Sequence, residues 1–262
     1  MRLVVRLASV VVVSLVILVV LQVSPRAGTN QAATTVEIPN LAGKVLTVVG
    51  PVDPEVLGQT IMHEHIFIDF QNPVARANIS RATDMGLHLA PVSLNVLSEV
   101  RFRRTPNRDN LYLTDFGEAI DEVMEFKRHG GQTIVDVTSI GLGRDPHALQ
   151  QVSQATGLSI VMGAGWYQKQ FHPADMDSRS IEELTDVIVR DIVVGAQGTS
   201  VRSGIIGEVG INGNPLTENE MKSIRASARA SRITGAAISF HVGGRGEEKF
   251  VVLEAVAGEG AD

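Results

Sequence analysis

The pattern of apolar positions divides the chain into three stretches. Arg2 and Arg6 precede an apolar stretch from Leu7 to Val20, interrupted only by Ser9 and Ser14. It reaches Val23 if Gln22 is tolerated, and small and polar residues from Ser24 to Asn30 follow. A basic start, an apolar core and a small-residue exit describe an export signal over residues 1–27. The length also approaches that of a membrane span, so an N-terminal anchor through residues 7–23 is the rival reading. Residues 28–42 read as a polar linker, and the globular part is expected over 43–262.

Within that part, Val45–Val49 is a short β-branched run ended by Gly50-Pro51, and Thr60–Ile68 is a second strand pattern. Residues 70–113 carry Asn, Pro and Arg with weak periodicity and read as a long loop with one short helix. From Thr114 a regular rhythm sets in. Phe116, Ile120 and Val123 share a helical face that Gly130-Gly131 stops. Thr133–Thr138 is a strand, and a helix opens at Asp145-Pro146 and closes at Gly157. Leu158–Met162 is the next strand. Ser180 with Glu183 forms a capping box before Leu184, Val187, Ile188 and Ile192. Gly204–Val209 is again a strand, Thr217 with Glu220 caps a helix ending near Gly235, Ala237–His241 is a strand, and Glu247–Ala257 is a last helix.

Strands that alternate with helices predict an α/β fold of parallel βα units. The expected class is a (β/α)₈ TIM-barrel type, with about five of its eight βα units present. Val45 to Asp262 supplies 218 residues, where a closed barrel of this kind takes about 250.

Composition narrows the function. The 262 residues hold 23 Lys and Arg against 29 Asp and Glu, a net charge of −6, and without residues 1–27 the balance falls to −9. An acidic domain disfavours nucleic acid and anionic lipid as partners. The absence of cysteine excludes a disulfide scaffold, a thiolate metal site and a thiol nucleophile.

The sharpest chemical feature is His63-Glu64-His65. On a strand the two imidazoles share one face and Glu64 points the other way, so both rings can lean onto one cation. Two chance histidines near a strand end are the bland alternative. Glu208 follows an apolar run, where a carboxylate is costly to bury without a cation or hydrogen bonds. An exposed loop position is its alternative. His241 terminates its strand before Val242-Gly243-Gly244. In a barrel, functional residues gather at the C-terminal strand ends. The candidate ligand set is therefore His63, His65, Glu208 and His241, which could hold two metals if Glu208 bridges them. Trp166 and Tyr167 are candidate walls of a substrate pocket, with packing under a loop as the alternative. Asp136 and Thr138 read as a structural hydrogen-bond network, and His172 as a turn. His88, His129 and His147 read as surface residues. Gly141-Leu142-Gly143-Arg144-Asp145 lacks the spacing and the Lys of a phosphate loop.

Several of these segments, in this order, resemble the phosphotriesterase family. They are Thr47–Val52, Leu57–Thr60, His63–His65, Thr138–Asp145, Gly163–Tyr167, Gly204–Gly210 and Phe240-His241. The likeness runs from about Gly43 onward and is nearest to the phosphotriesterase-related branch, whose animal members are linked to N-acyl-taurine amide hydrolysis. The resemblance implies an amidohydrolase-type barrel with two divalent metal ions, zinc being expected. Metal-bound hydroxide would attack an ester, lactone, phosphoester or N-acyl amide of a small-molecule substrate. It matches His63 and His65 to first-strand ligands and His241 to a fifth-strand ligand. Gly207 and Glu208 stand where the best-known members carry a carboxylated Lys, which makes Glu208 the expected bridge. The resemblance also implies a sixth-strand His and an eighth-strand Asp. Both are expected beyond residue 262, so no catalytic residue is identified in this chain. An inactive truncated or degenerate barrel, serving as an exported binding protein, is the alternative function. A homodimer that completes the sheet between chains is a further expectation. The expected location is exported or membrane-anchored.

Overall fold

The computed structural model describes residues 38–71, 79, 81–102, 106–243 and 246–261. The signal or anchor expected over 1–27 and most of the polar linker lie outside the described residues. Among the described residues no helix is long and apolar enough to cross a membrane.

The chain enters through a small antiparallel pair, β1 (Val45–Thr47) and β2 (Gly50–Val52). Strand β3 (Gln59–Glu64) follows, and then β4 (Ile68–Asp69). Between β4 and residue 113 the expected long loop is more ordered than its periodicity indicated. Among the described residues it holds three short helices, α1 (Ala82–Leu89), α2 (Leu97–Phe102) and α3 (Arg108–Leu111). It ends in β5 (Tyr112–Leu113), which pairs antiparallel with β4. The reason is a polar tie. The Asn107 side chain accepts from Asn110 N at 2.9 Å, and its amide donates to Leu87 O at 2.7 Å and to Ala90 O at 2.8 Å. One buried amide thus caps α3 and holds α1 against it.

From here sequence rhythm and structure agree closely. The elements are α4 (Phe116–Arg128), β6 (Gly131–Asp136), α5 (Pro146–Thr156), β7 (Ser159–Ala164), α6 (Ile181–Val193), β8 (Ile205–Ile211), α7 (Glu218–Thr234), β9 (Ile238–Val242) and α8 (Glu248–Gly258). Both capping boxes form, and Gly157 and Gly235 end α5 and α7 in the left-handed conformation.

The five long strands are parallel in the order β3-β6-β7-β8-β9. Each new strand joins the last. This is the singly wound layout of a barrel rather than a doubly wound sheet, whose order reverses. The result is a half-barrel with helices on its outer face. Leu149, Val152, Ile134, Ile160 and Val123 form one core beneath α4 and α5. Leu184, Ile188, Ile192, Ile206 and Trp166 form another beneath α6 and α7. The β1–β2 pair sits against β7, the middle strand of the sheet. Val48 N donates to Ile160 O at 2.9 Å, and a Cβ on Gly204 would lie 2.0 Å from Leu46 O. Only glycine admits that approach.

Candidate metal centre

Glu208 lies in the middle of β8 rather than past its end, and it is 2% exposed. Gly207 before it has φ 135°, and a Cβ there would lie 2.5 Å from Ser239 O in β9. A side chain at 207 would therefore push β9 away, and the Gly-Glu order seats the carboxylate. The Gly207–Glu208 peptide is cis.

Three imidazoles converge on that carboxylate. His63 Nε2 is 3.2 Å from Oε2, His65 Nε2 is 3.3 Å from Oε1, and His241 Nδ1 is 3.0 Å from Oε2. The His63 and His65 rings meet edge to face, 5.5 Å apart. The ligand atoms of His63, His65 and Glu208 all lie within 4.8 Å of one another. As the strand pattern predicts, His63 and His65 reach the same centre, and Glu64, which does not, borders with His65 a groove between β3 and α4.

The convergence requires curvature. His63 belongs to β3 and His241 to β9, at opposite ends of the five-strand order. Four inter-strand spacings would separate them by about 19 Å in a flat sheet. Both nonetheless touch the same oxygen of Glu208, because the sheet is bent as in a barrel.

Burial pushes the Glu208 carboxyl up, but with the imidazoles protonated the hydrogen bond from His65 and the charges of His241, His65 and His63 outweigh it. The group therefore sits below the ordinary carboxylate range.

Around the cluster stand two further contacts. The Tyr167 hydroxyl is 3.2 Å from His241 Nε2, and the rings meet edge to face. Burial, then the charge of Glu208, raises the pKa of that hydroxyl. Thr138 Oγ1 lies 3.0 Å from His65 Nδ1 and donates to Phe67 O at 3.1 Å. Asp136 accepts from Ile66 N at 2.7 Å and from Thr138 N at 3.0 Å. Desolvation raises its pKa despite those bonds.

All four sequence candidates, His63, His65, Glu208 and His241, are thus brought together. Of the two candidate pocket aromatics, Tyr167 joins them. Trp166 instead packs in the core with Ala164, Met176 and Ile188. Asp136 and Thr138 form the expected network, and it is aimed at His65, which local sequence did not reveal. His88, expected on the surface, is buried and bonds Pro106 O at 2.6 Å.

Three imidazole nitrogens and one carboxylate with both oxygens engaged form a donor set suited to zinc or a similar divalent ion. A curved parallel sheet of βα units that presents such a set at one centre defines an α/β protein of the (β/α)₈-barrel class. Comparison with known proteins agrees. The phosphotriesterase family model matches residues 43–262. N-acetyltaurine hydrolase of Xenopus tropicalis is 37% identical over 224 residues, covering 85% of this chain and 63% of that protein. A resiniferatoxin-binding protein from Rhodobacter sphaeroides superposes with a TM-score of 0.77 at 38% identity, covering 84% of this chain and 61% of that one. A phosphotriesterase-like lactonase from Deinococcus radiodurans superposes with a TM-score of 0.61 at 26% identity, covering 83% and 60%. This chain belongs to the phosphotriesterase family, whose members use divalent metals. It spans under two thirds of the length of these relatives.

Proposed function

We propose that the protein is a metal-dependent hydrolase of small acyl and phosphoryl derivatives. N-acyl amides are the first substrate class, with esters, lactones and phosphoesters beside them. The observation that carries this reading is one buried carboxylate met by three imidazoles, from β3, from the residue just after it and from β9. The named activity of the N-acetyltaurine hydrolases supports the amide, and that of the lactonase supports the lactone.

In this reading His63, His65, Glu208 and His241 would hold two divalent ions, zinc being the natural choice, with Glu208 as the ligand they would share. Bound there, the ions would supply Lewis-acid polarisation of the scissile group and ease deprotonation of water. The chain's own residues do the rest. Glu208 places negative charge between the imidazoles. Thr138 and Asp136 fix the backbone and ring of His65. The Tyr167 hydroxyl holds the far nitrogen of His241 and so sets its ring plane. Residues 1–27 would carry this chemistry outside the cytoplasm.

Metal analysis of the purified chain after zinc or manganese supplementation tests the reading, together with a panel of N-acyl amino acids, lactones and phosphotriesters. Tight binding that Glu208→Gln removes is expected. Less than one ion per wild-type chain would overturn it.

A further inference from the structure

We propose that Thr138 is a positioning residue that fixes the ring tautomer of His65, so that the neutral imidazole presents a bare Nε2 to the centre. The inference rests on the metal-site reading above, and it adds a reason for that site to prefer a cation.

The argument is a count of protons. The Thr138 hydroxyl carries one, and its oxygen lies within hydrogen-bond distance of both Phe67 O and His65 Nδ1. A backbone carbonyl only accepts, so the hydroxyl proton goes to Phe67 O. The other acceptor beside it is the Asp136 carboxylate, which takes Thr138 N–H at 3.0 Å. Sharing the proton with that group would leave the outcome unchanged. The Thr138 oxygen must then accept, and His65 Nδ1–H is the donor. A neutral imidazole has one N–H. Nε2 therefore bears a lone pair, and it lies 3.3 Å from Glu208 Oε1.

Two acceptors facing each other at that distance repel unless a cation lies between them. Without the Thr138 contact, His65 could move its proton to Nε2 and donate to Glu208. That self-satisfied pair would compete with a metal. Thr138 removes the competitor. Asp136 prevents retreat, since it holds Ile66 N on one side and Thr138 N on the other. His241 lacks such a lock: its Nε2 partner is the Tyr167 hydroxyl, which can give or accept a proton.

The test uses the metal-free full chain with nitrogen-15-labelled histidine, above the imidazole titration range. Long-range proton–nitrogen correlations distinguish the tautomers, and His65 is assigned by its loss in His65→Gln. Wild type and Thr138→Ser are expected to show Nδ1–H, and Thr138→Val to admit Nε2–H. Zinc affinity, read by competition with a chromophoric chelator, should fall about 10- to 100-fold in Thr138→Val and return in Thr138→Ser. Nε2–H in the wild type overturns the proposal, and that spectrum needs no variant to fold. Unchanged tautomer and affinity in Thr138→Val also overturns it. Nδ1–H in a wild type that binds no zinc supports the role of Thr138 and overturns the metal reading instead.

Discussion

Glu220→Gln replaces one oxygen of a fully buried carboxylate with an NH₂ group. In the wild type Oε1 accepts from Asn212 N at 2.8 Å and Gly213 N at 3.0 Å. Oε2 accepts from Thr217 N and Thr217 Oγ1, both at 2.8 Å. The carboxylate therefore ties the loop after β8 to the start of α7. Glutamine keeps one acceptor oxygen and turns two N–H donors of its own toward the other pair. The Thr217 hydroxyl can rotate away, but a backbone N–H cannot. One or two buried donors are left unmet, each costing about 1–3 kcal/mol, so a loss of about 2–4 kcal/mol is expected. Burial raises the Glu220 pKa, but the bonds from Asn212, Thr217 and Gly213 outweigh it and hold the group below its ordinary 4.5. A depressed folded-state pKa gives stability that is complete above the ordinary value and lost as pH falls through the folded one. The gap between wild type and variant should therefore be full at neutral pH and narrow on acidification below 4.5. Urea unfolding read through Trp166, the single tryptophan and a buried one, measures it. Circular dichroism should give a coincident transition. A gap that is negligible at neutral pH, or that widens on acidification, would refute the reasoning.

Asp191→Asn should cost about 3–5 kcal/mol in the same unfolding assay, because it strands a buried charge. Arg144 Nη2 pairs with Asp191 Oδ2 at 2.8 Å, and both side chains are buried. Replacing both by apolar residues should cost less, and a smaller loss in Asp191→Asn than in the double variant would contradict this account. Gly207→Ala should abolish metal binding while leaving the helix content seen by circular dichroism largely intact, since the clash with Ser239 O falls on the strand that carries His241. Wild-type metal affinity in that variant would show that β9 yields without moving the site.

The legible parts of the fold were those with local causes. Ser180 with Glu183, Thr217 with Glu220, Asp145-Pro146, Gly157 and Gly235 act within a turn of chain, and each marks a real helix end. The alternation of apolar runs with amphipathic helices carried the strand order. Illegible parts depend on contacts between distant residues. The helices of 82–111 rest on Asn107 reaching back 17 and 20 residues. Phe116, on the helical face it shares with Ile120 and Val123, opens its helix exposed while Val123 is buried, and it stacks on Phe67. In the candidate site, His63 and His65 were legible because strand alternation alone puts them on one face. Glu208 was legible as an odd carboxylate after an apolar run, but its burial in mid-strand depends on the bend of the whole sheet. The pairing of Tyr167 with His241 spans 74 residues and that of His65 with Thr138 spans 73, and neither leaves a local trace.

The strands that supply His63 and His241 are also the two margins of the sheet. Their outer backbone groups are the ones open to another strand, and Met62 on the β3 margin stands exposed. A segment docked along either margin, from the same polypeptide or another, would set the gape between the two imidazoles. Closure of the sheet and spacing of the centre are therefore coupled: a neighbour that flattened the arc would draw the two histidines away from Glu208.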